Sequence, residues 1–227
     1  MKKIGIITAL SLEGEQVSSL LGKPIKTDLY GHFSVCKYVI NDKEFYCADC
    51  GVGEIASASC TQILLSVYNV ELVLNYGFAG GYDGLKAGDG VIIGGVVHYD
   101  FDVSAVDGCE PCFYPDLFDS PVIETDDKFV AFAKKITDYK VGVLASGDKF
   151  VTDKSFKDIM FDKYGAVVYD MEAAGILITC KNLKVPALVI KVVSDSGNAD
   201  EYYSFKELVS RTKIKFAGFI KEIALAL

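Results

Sequence analysis

Histidine, arginine and long apolar runs are what this sequence is short of. Its two histidines, His32 and His98, stand far apart and are too few for a convincing metal site. Arginine occurs once, as Arg211 in a C-terminal helical stretch, where it reads as a solvated surface charge. No apolar stretch reaches the length that spans a membrane. Positive charge is in deficit as well. The 23 Lys and Arg against 31 Asp and Glu give a net charge of −8 and a pI near 4.8. That balance argues against nucleic acid or an anionic membrane as a partner. Linkers and repeats are missing, so 227 residues suit one domain, 1–227, with a sizeable core. Lys2-Lys3 and the apolar run behind them resemble a signal peptide only superficially. The run is short, meets Glu13 and Glu15 and lacks a small-residue cleavage site. It therefore reads as a core strand, and the chain is expected in the cytoplasm.

Cysteine does not come as an even set. Seven of them in such a chain suggest reduced thiols more than a disulfide framework. Two CxxC pairs occur, Cys47/Cys50 and Cys109/Cys112, too far apart in the chain for a zinc ribbon. Cys47 and Cys50 differ by an odd number within a strand-like run, so they face opposite sides. Cys109-Glu-Pro-Cys112 lies in a Pro-rich loop, where a redox pair is the alternative to two plain thiols.

Strand-like and helix-like runs alternate along the chain. Lys3–Ala9 is a strand and Leu12–Leu21 a helix ending at Gly22 and Pro24. Phe33–Ile40 and Glu44–Cys50 form a hairpin around Asn41-Asp42. Gly51-Val52-Gly53 opens a helix through about Val67; a lone Gly-x-Gly is more often a tight strand-to-helix turn than a phosphate cradle. Leu72–Asn75 is a buried strand running into Gly77-Phe78-Ala79-Gly80-Gly81, whose small residues let backbone approach a ligand. Asp89–His98 and Val141–Ala145 are further strands. Between them Tyr99–Pro121 is a long irregular stretch, of the kind that forms lids, binding loops or partner contacts. Thr125 is expected to cap a helix that carries Phe129, Val130, Phe132, Ala133 and Ile136 at helical spacing. A helix over Asp153–Tyr164 follows, then a strand at Val167-Val168, then an apolar helix from Glu172. Val185–Val193 is the last strand, and Ser204 to Glu207 is a capping box opening a C-terminal helix. The pattern predicts an α/β fold: a single-domain three-layer sandwich whose mixed, largely parallel twisted sheet is flanked by helices.

The candidate chemistry lies at the ends of these strands. In Tyr164–Cys180 the only charged residues, Asp170 and Glu172, fall where a strand hands over to a buried helix. A buried carboxylate is costly unless something hydrogen-bonds it or needs it. For one acid alone, helix capping is the better explanation. The pattern recurs, however, at Glu13 after the first strand and at Asp195 after the last. Ligands of α/β sheets bind outside the carboxyl ends of the strands, so three such acids outline a sugar- or base-binding cleft.

Five segments carry a resemblance: Ile7-Thr8-Ala9-Leu10-Ser11-Leu12-Glu13, Gly77 to Gly81, Ser146-Gly147-Asp148, Asp170-Met171-Glu172-Ala173-Ala174 and Val193-Ser194-Asp195. In order and spacing the chain resembles the nucleoside phosphorylase/nucleosidase family, and within it the 5′-methylthioadenosine/S-adenosylhomocysteine nucleosidases. The resemblance runs from residue 3 to the C-terminal helix. It implies hydrolysis of an N-glycosidic bond through an oxocarbenium-like transition state, by a homodimer without metal or organic cofactor, on a small-molecule purine nucleoside. Glu13 would deprotonate the attacking water, Glu172 would hold the ribose 2′-hydroxyl with Met171 against the sugar, and Asp195 would protonate the five-membered ring of adenine. Phe150 would stack on the purine and the Val151 backbone would read its edge. Ala9, Leu10, Val52, Phe78, Ala79, Gly80 and Ser194 complete the implied substrate contacts, with Val103 and Phe205 at hydrophobic pocket positions.

The chemistry agrees with these roles. Adenine departure needs an acid on the base side, and water needs a base at the other face of the sugar; as that acid, Asp195 is expected to be buried among other carboxylates and so to keep a proton. Family phosphorylases hold phosphate with arginines, whose fork suits that anion, and Arg211 is far from every motif. Hydrolysis is therefore favoured over phosphorolysis, with futalosine-like nucleosides as alternative substrates. Position 78, usually a small hydroxylic residue in the nucleosidases, is Phe78, which speaks for a non-catalytic nucleoside-binding relative. Retention of all three acids speaks against one.

Overall fold

The computed structural model describes residues 2–195 together with Phe219 and Glu222. Ser196, Gly197, the capping box at Ser204, the pocket position Phe205 and Arg211 lie outside the described residues. Among the described residues ten strands and six helices follow one another in the order β1 (Lys3–Thr8), α1 (Ser11–Leu21), β2 (Lys26–Tyr30), β3 (Phe33–Ile40), β4 (Lys43–Asp49), α2 (Glu54–Ser66), β5 (Leu72–Gly81), β6 (Gly90–His98), α3 (Ser104–Asp107), β7 (Ile123–Glu124), α4 (Asp127–Ile136), β8 (Lys140–Ser146), α5 (Lys154–Tyr164), β9 (Ala166–Asp170), α6 (Ala173–Asn182) and β10 (Ala187–Asp195).

Side-chain alternation along the central strands builds two cores. On β1, Ile4 and Ile6 face one side, packing with Phe45, Leu74, Val17 of α1 and Phe129 and Ala133 of α4. Ile7 faces the other, with Leu64 of α2 and Ala173, Ile176 and Leu177 of α6. The result is the expected three-layer sandwich, helices covering both faces of a mixed sheet. Cys47 and Cys50 fall on opposite faces, among those two cores respectively, because an odd spacing in a strand reverses direction.

Strands β4, β1, β5 and β10 lie side by side and parallel. Their carboxyl ends therefore share one edge, which is what places the site. Beyond β10 the sheet continues through antiparallel β6, then β8 and β9, and curls until Tyr169 of β9 meets Gly80 of β5. The β3–β4 hairpin turns on Asn41 and Asp42, both at positive φ, the two-residue turn that matches strand twist.

Three expectations change. Lys26–Tyr30, where the sequence pattern predicts no element, is β2, an exposed edge strand paired to β3. Its mixed composition carries no apolar alternation to reveal it. The glycine-rich Gly77 to Gly81 continues β5, because pairing to β10 and β9 supplies the ladder that Gly-rich sequence cannot announce. Thr125 does not cap α4: the cap is Asp126, whose Oδ1 accepts the Lys128 N–H at 3.0 Å. Thr125 is buried and donates to the Ile93 carbonyl at 2.7 Å.

Candidate active site

At the shared strand edge lies a cavity of about 260 Å³. It is lined from β1 and α1 by Ala9, Leu10 and Glu13, from β5 by Gly77 to Gly80, and from the loops after β4 and β8 by Val52, Lys149, Phe150 and Val151. β9, β10 and their ends add Tyr169, Asp170, Met171, Glu172, Lys191, Ser194 and Asp195. Glu13, Glu172 and Asp195, remote in sequence, thus meet around one space. So do all the expected contact residues except two. Val103 is the residue preceding α3 and is not among the lining residues, and Phe205 is not described.

Glu13 sits in the first turn of α1, 2% exposed. Its Oε2 accepts the N–H groups of Ala9 and Leu10, both at 2.9 Å, and its Oε1 that of Phe78 at 2.8 Å. Burial raises its pKa, while these donors and the Lys191 charge pull the other way. Gly77 leaves the room: a Cβ there would lie 3.0 Å from Glu13 Oε1. The chain thus fixes a buried carboxylate by backbone alone.

Glu172 occupies the cap position of α6, where its Oε1 accepts the Gly53 N–H at 3.0 Å. Burial first, and then the charge of Asp170, push its pKa up to about 7, against the pull of Lys191. Asp170 holds the turn behind it. Its Oδ2 lies 2.8 Å from Lys191 Nζ, its Oδ1 takes the Ser146 hydroxyl at 2.6 Å, and the Ala173 N–H reaches both oxygens. Asp170 is not itself the cap residue, which is Glu172, but its carboxylate takes the N–H of Ala173 in the first turn of α6, and the Glu172 side chain lines the cavity.

Asp195 ends β10. The hydroxyl that touches its Oδ2, at 2.8 Å, is that of Ser194; position 78 reaches the site through its N–H on Glu13 instead. Lys157, 5% exposed, reaches the Gly81 carbonyl at 3.4 Å beneath this end. Phe150, 75% exposed, stands at the cavity mouth with Val52. Its loop is tied down by Asp100, which accepts the Asp148 N–H at 2.7 Å and pairs with Lys149 at 2.8 Å.

Lys191 and Glu54 carry no role in the sequence reading, and Ser146 enters it only as part of the segment Ser146-Gly147-Asp148. Lys191 carried a signal: one lysine inside the strand Val-Ile-Lys-Val-Val, buried to 1% exposure, demands a carboxylate partner. Glu54 and Ser146 looked like ordinary turn and strand-end residues. Among the described residues no group of three or more His, Cys, Asp or Glu could hold a metal ion, and no helix is long and apolar enough to cross a membrane.

A family model described as the phosphorylase superfamily matches residues 3–226. An aminodeoxyfutalosine nucleosidase from Helicobacter pylori strain J99 is 31% identical, covering 98% of both chains. A 5′-methylthioadenosine/S-adenosylhomocysteine nucleosidase from Exiguobacterium is also 31% identical, covering 97% of both. Among solved structures, the Helicobacter pylori 5′-methylthioadenosine/S-adenosylhomocysteine nucleosidase with butyl-thio-DADMe-Immucillin-A superposes with a TM-score of 0.90 at 30% identity, over 100% of this chain and 99% of that one.

Proposed function

The chain belongs to the phosphorylase superfamily, on its nucleosidase branch, and we propose that it hydrolyses the N-glycosidic bond of 5′-substituted adenine nucleosides such as methylthioadenosine and adenosylhomocysteine. The observation that carries this reading is the convergence of Glu13, Glu172 and Asp195 on one cavity. Asp195 gives its proton to the imidazole-ring nitrogen of adenine as the bond to the anomeric carbon breaks. Water adds to that carbon and Glu13 accepts its proton. Burial raises the Glu13 pKa and so makes it a stronger base, while three backbone donors favour its charged form. Glu172 holds the 2′-hydroxyl and, with Glu13, offsets the positive charge that develops on the sugar. Phe150 closes over the purine, and the Val151 backbone reads its edge.

Water rather than phosphate is the acceptor. Of the charged groups lining the cavity, Glu13, Asp170, Glu172 and Asp195 outnumber Lys149 and Lys191. Each lysine is paired with an aspartate at 2.8 Å. A phosphate dianion would therefore meet no lysine without a carboxylate partner among the described lining residues. Incubation with methylthioadenosine, with and without phosphate, tests this. Free sugar in both cases supports hydrolysis, a sugar 1-phosphate supports phosphorolysis, and no adenine in either refutes the reading.

A second reading for the 5′ group is an aminodeoxyfutalosine-type substrate, favoured by the Helicobacter relative. A panel of adenine nucleosides differing only at the 5′ carbon, compared by kcat/KM, decides between the two. The exposed apolar side chains Val52 and Phe150 at the mouth support a homodimer, which light scattering would detect as twice the chain mass.

A further inference from the structure

We propose that Glu54, outside the cavity, is a positioning residue that stays protonated at neutral pH and completes the hydrogen-bond chain Glu54–Ser146–Asp170–Lys191 behind Glu172. The argument is a proton count. Ser146 Oγ lies 2.5 Å from Glu54 Oε1 and 2.6 Å from Asp170 Oδ1, and it accepts the Ala174 N–H at 3.1 Å. A serine hydroxyl has one proton to give, yet two carboxyl oxygens flank it. One of those carboxyls must bring its own.

The surroundings decide which. Asp170 is ion-paired with Lys191 at 2.8 Å and accepts the Ala173 N–H, so its oxygens already face donors. The other oxygen of Glu54 receives the Gly175 N–H, and among the described residues no salt bridge reaches this side chain, which is 7% exposed. The proton therefore belongs to Glu54, which donates to Ser146, which in turn donates to Asp170. Burial and then the charge of Asp170 push the Glu54 pKa up to about 8, in line with this order.

The charged and titratable groups around Glu54 come from several elements. Asp148 in the loop after β8 accepts the Glu54 N–H at 2.8 Å. Asp170 ends β9, Glu172 precedes α6, Lys191 lies on β10, and the phenols of Tyr99 and Tyr114 are near enough for an ionised Glu54 to act on them. With Glu54 neutral, Lys191 faces Asp170, Glu172 and Glu13. Ionising Glu54 adds another negative charge and leaves two carboxylates competing for one hydroxyl proton. The turn that presents Glu172 then loosens. Glu54 also follows Gly53, whose N–H binds Glu172, so both ends of the disturbance reach the same carboxylate.

The catalytic consequence rests on the nucleosidase reading, whereas the protonation state does not, and two arms keep them apart. The first is infrared difference spectroscopy, wild type minus Glu54→Gln. A carboxylic-acid C=O band belonging to Glu54 is expected at pH 7 and should be gone well above pH 8. Ser146→Ala, which leaves the glutamate in place, must shift that band. Absence of the band at pH 7, or no response to Ser146→Ala, overturns the proposal whatever the enzyme's activity. The second arm is kcat against pH. The Gln amide donates to Ser146 and its carbonyl accepts from Gly175, so Glu54→Gln should keep kcat at pH 7 within about threefold and lose the alkaline decline of the wild type. Glu54→Ala should lose about tenfold or more at pH 7. A Gln variant that retains the alkaline decline unchanged overturns the catalytic link. Failure of the wild type to release adenine, with the band present, refutes the nucleosidase reading alone.

Discussion

Replacing Glu172 with glutamine should destabilise the protein in acid and stabilise it near neutrality. The carboxyl is 6% exposed, and its pKa stands at about 7 against an ordinary 4.5. Between those values the folded chain keeps a proton that the unfolded chain has released. Stability is therefore whole below the unfolded value and falls as pH rises through the folded one, by roughly 3 kcal/mol. Glutamine does not titrate and escapes that loss. Its carbonyl can keep the Gly53 N–H at 3.0 Å, but its amide then faces the Met171 N–H, which Oε2 meets at 3.4 Å. That mismatch costs about 1 kcal/mol. Urea melts should show Glu172→Gln less stable than wild type by about 1 kcal/mol near pH 4, and more stable by roughly 2 kcal/mol at pH 7.5. Turnover should fall about a hundredfold or more throughout, the expected conflict between stability and a strained site. An equal stability difference at both pH values would refute the argument, since a purely structural carboxylate gives no crossing.

Asp195→Asn should cut turnover by about a thousandfold with an unchanged far-UV spectrum and melting temperature; wild-type activity in that variant sinks the assignment. Gly77→Ala places a methyl 3.0 Å from Glu13 Oε1, so kcat should drop about tenfold or more while urea midpoints hold. A variant as active as wild type would show that the backbone does not set this carboxylate. Lys191→Met leaves Asp170 buried without its 2.8 Å partner and should cost about 3–5 kcal/mol in denaturant melts. Adding Asp170→Asn should recover much of it, and a loss below about 1 kcal/mol in the single variant contradicts the buried pairing.

Particular residues show where sequence reading reached and where it stopped. The two-residue turn at Asn41-Asp42, the opposed faces of Cys47 and Cys50 and the helical spacing from Phe129 to Ile136 rest on contacts a few residues apart, and each was legible. Edge strand β2 and the sheet pairing of Gly77 to Gly81 were not, since their hydrogen bonds go to strands whose position only the fold supplies. Asp195 and Glu13 drew attention as acids at strand ends. Lys191 was passed over although a lysine in an apolar strand is a visible anomaly, and Glu54 offered no anomaly at all.

The sequence by itself determined the alternation of elements, the acidic surface and the family to which the chain belongs, because periodicity, composition and motif spacing are local properties of a chain. Only the tertiary structure decided that Glu54 and Asp170, 92 and 24 residues from Ser146 in sequence, flank one hydroxyl, and that Lys191 faces three carboxylates. The reason is physical: protonation and charge pairing depend on distance and burial, and those exist only after parallel strands have brought their ends to one edge.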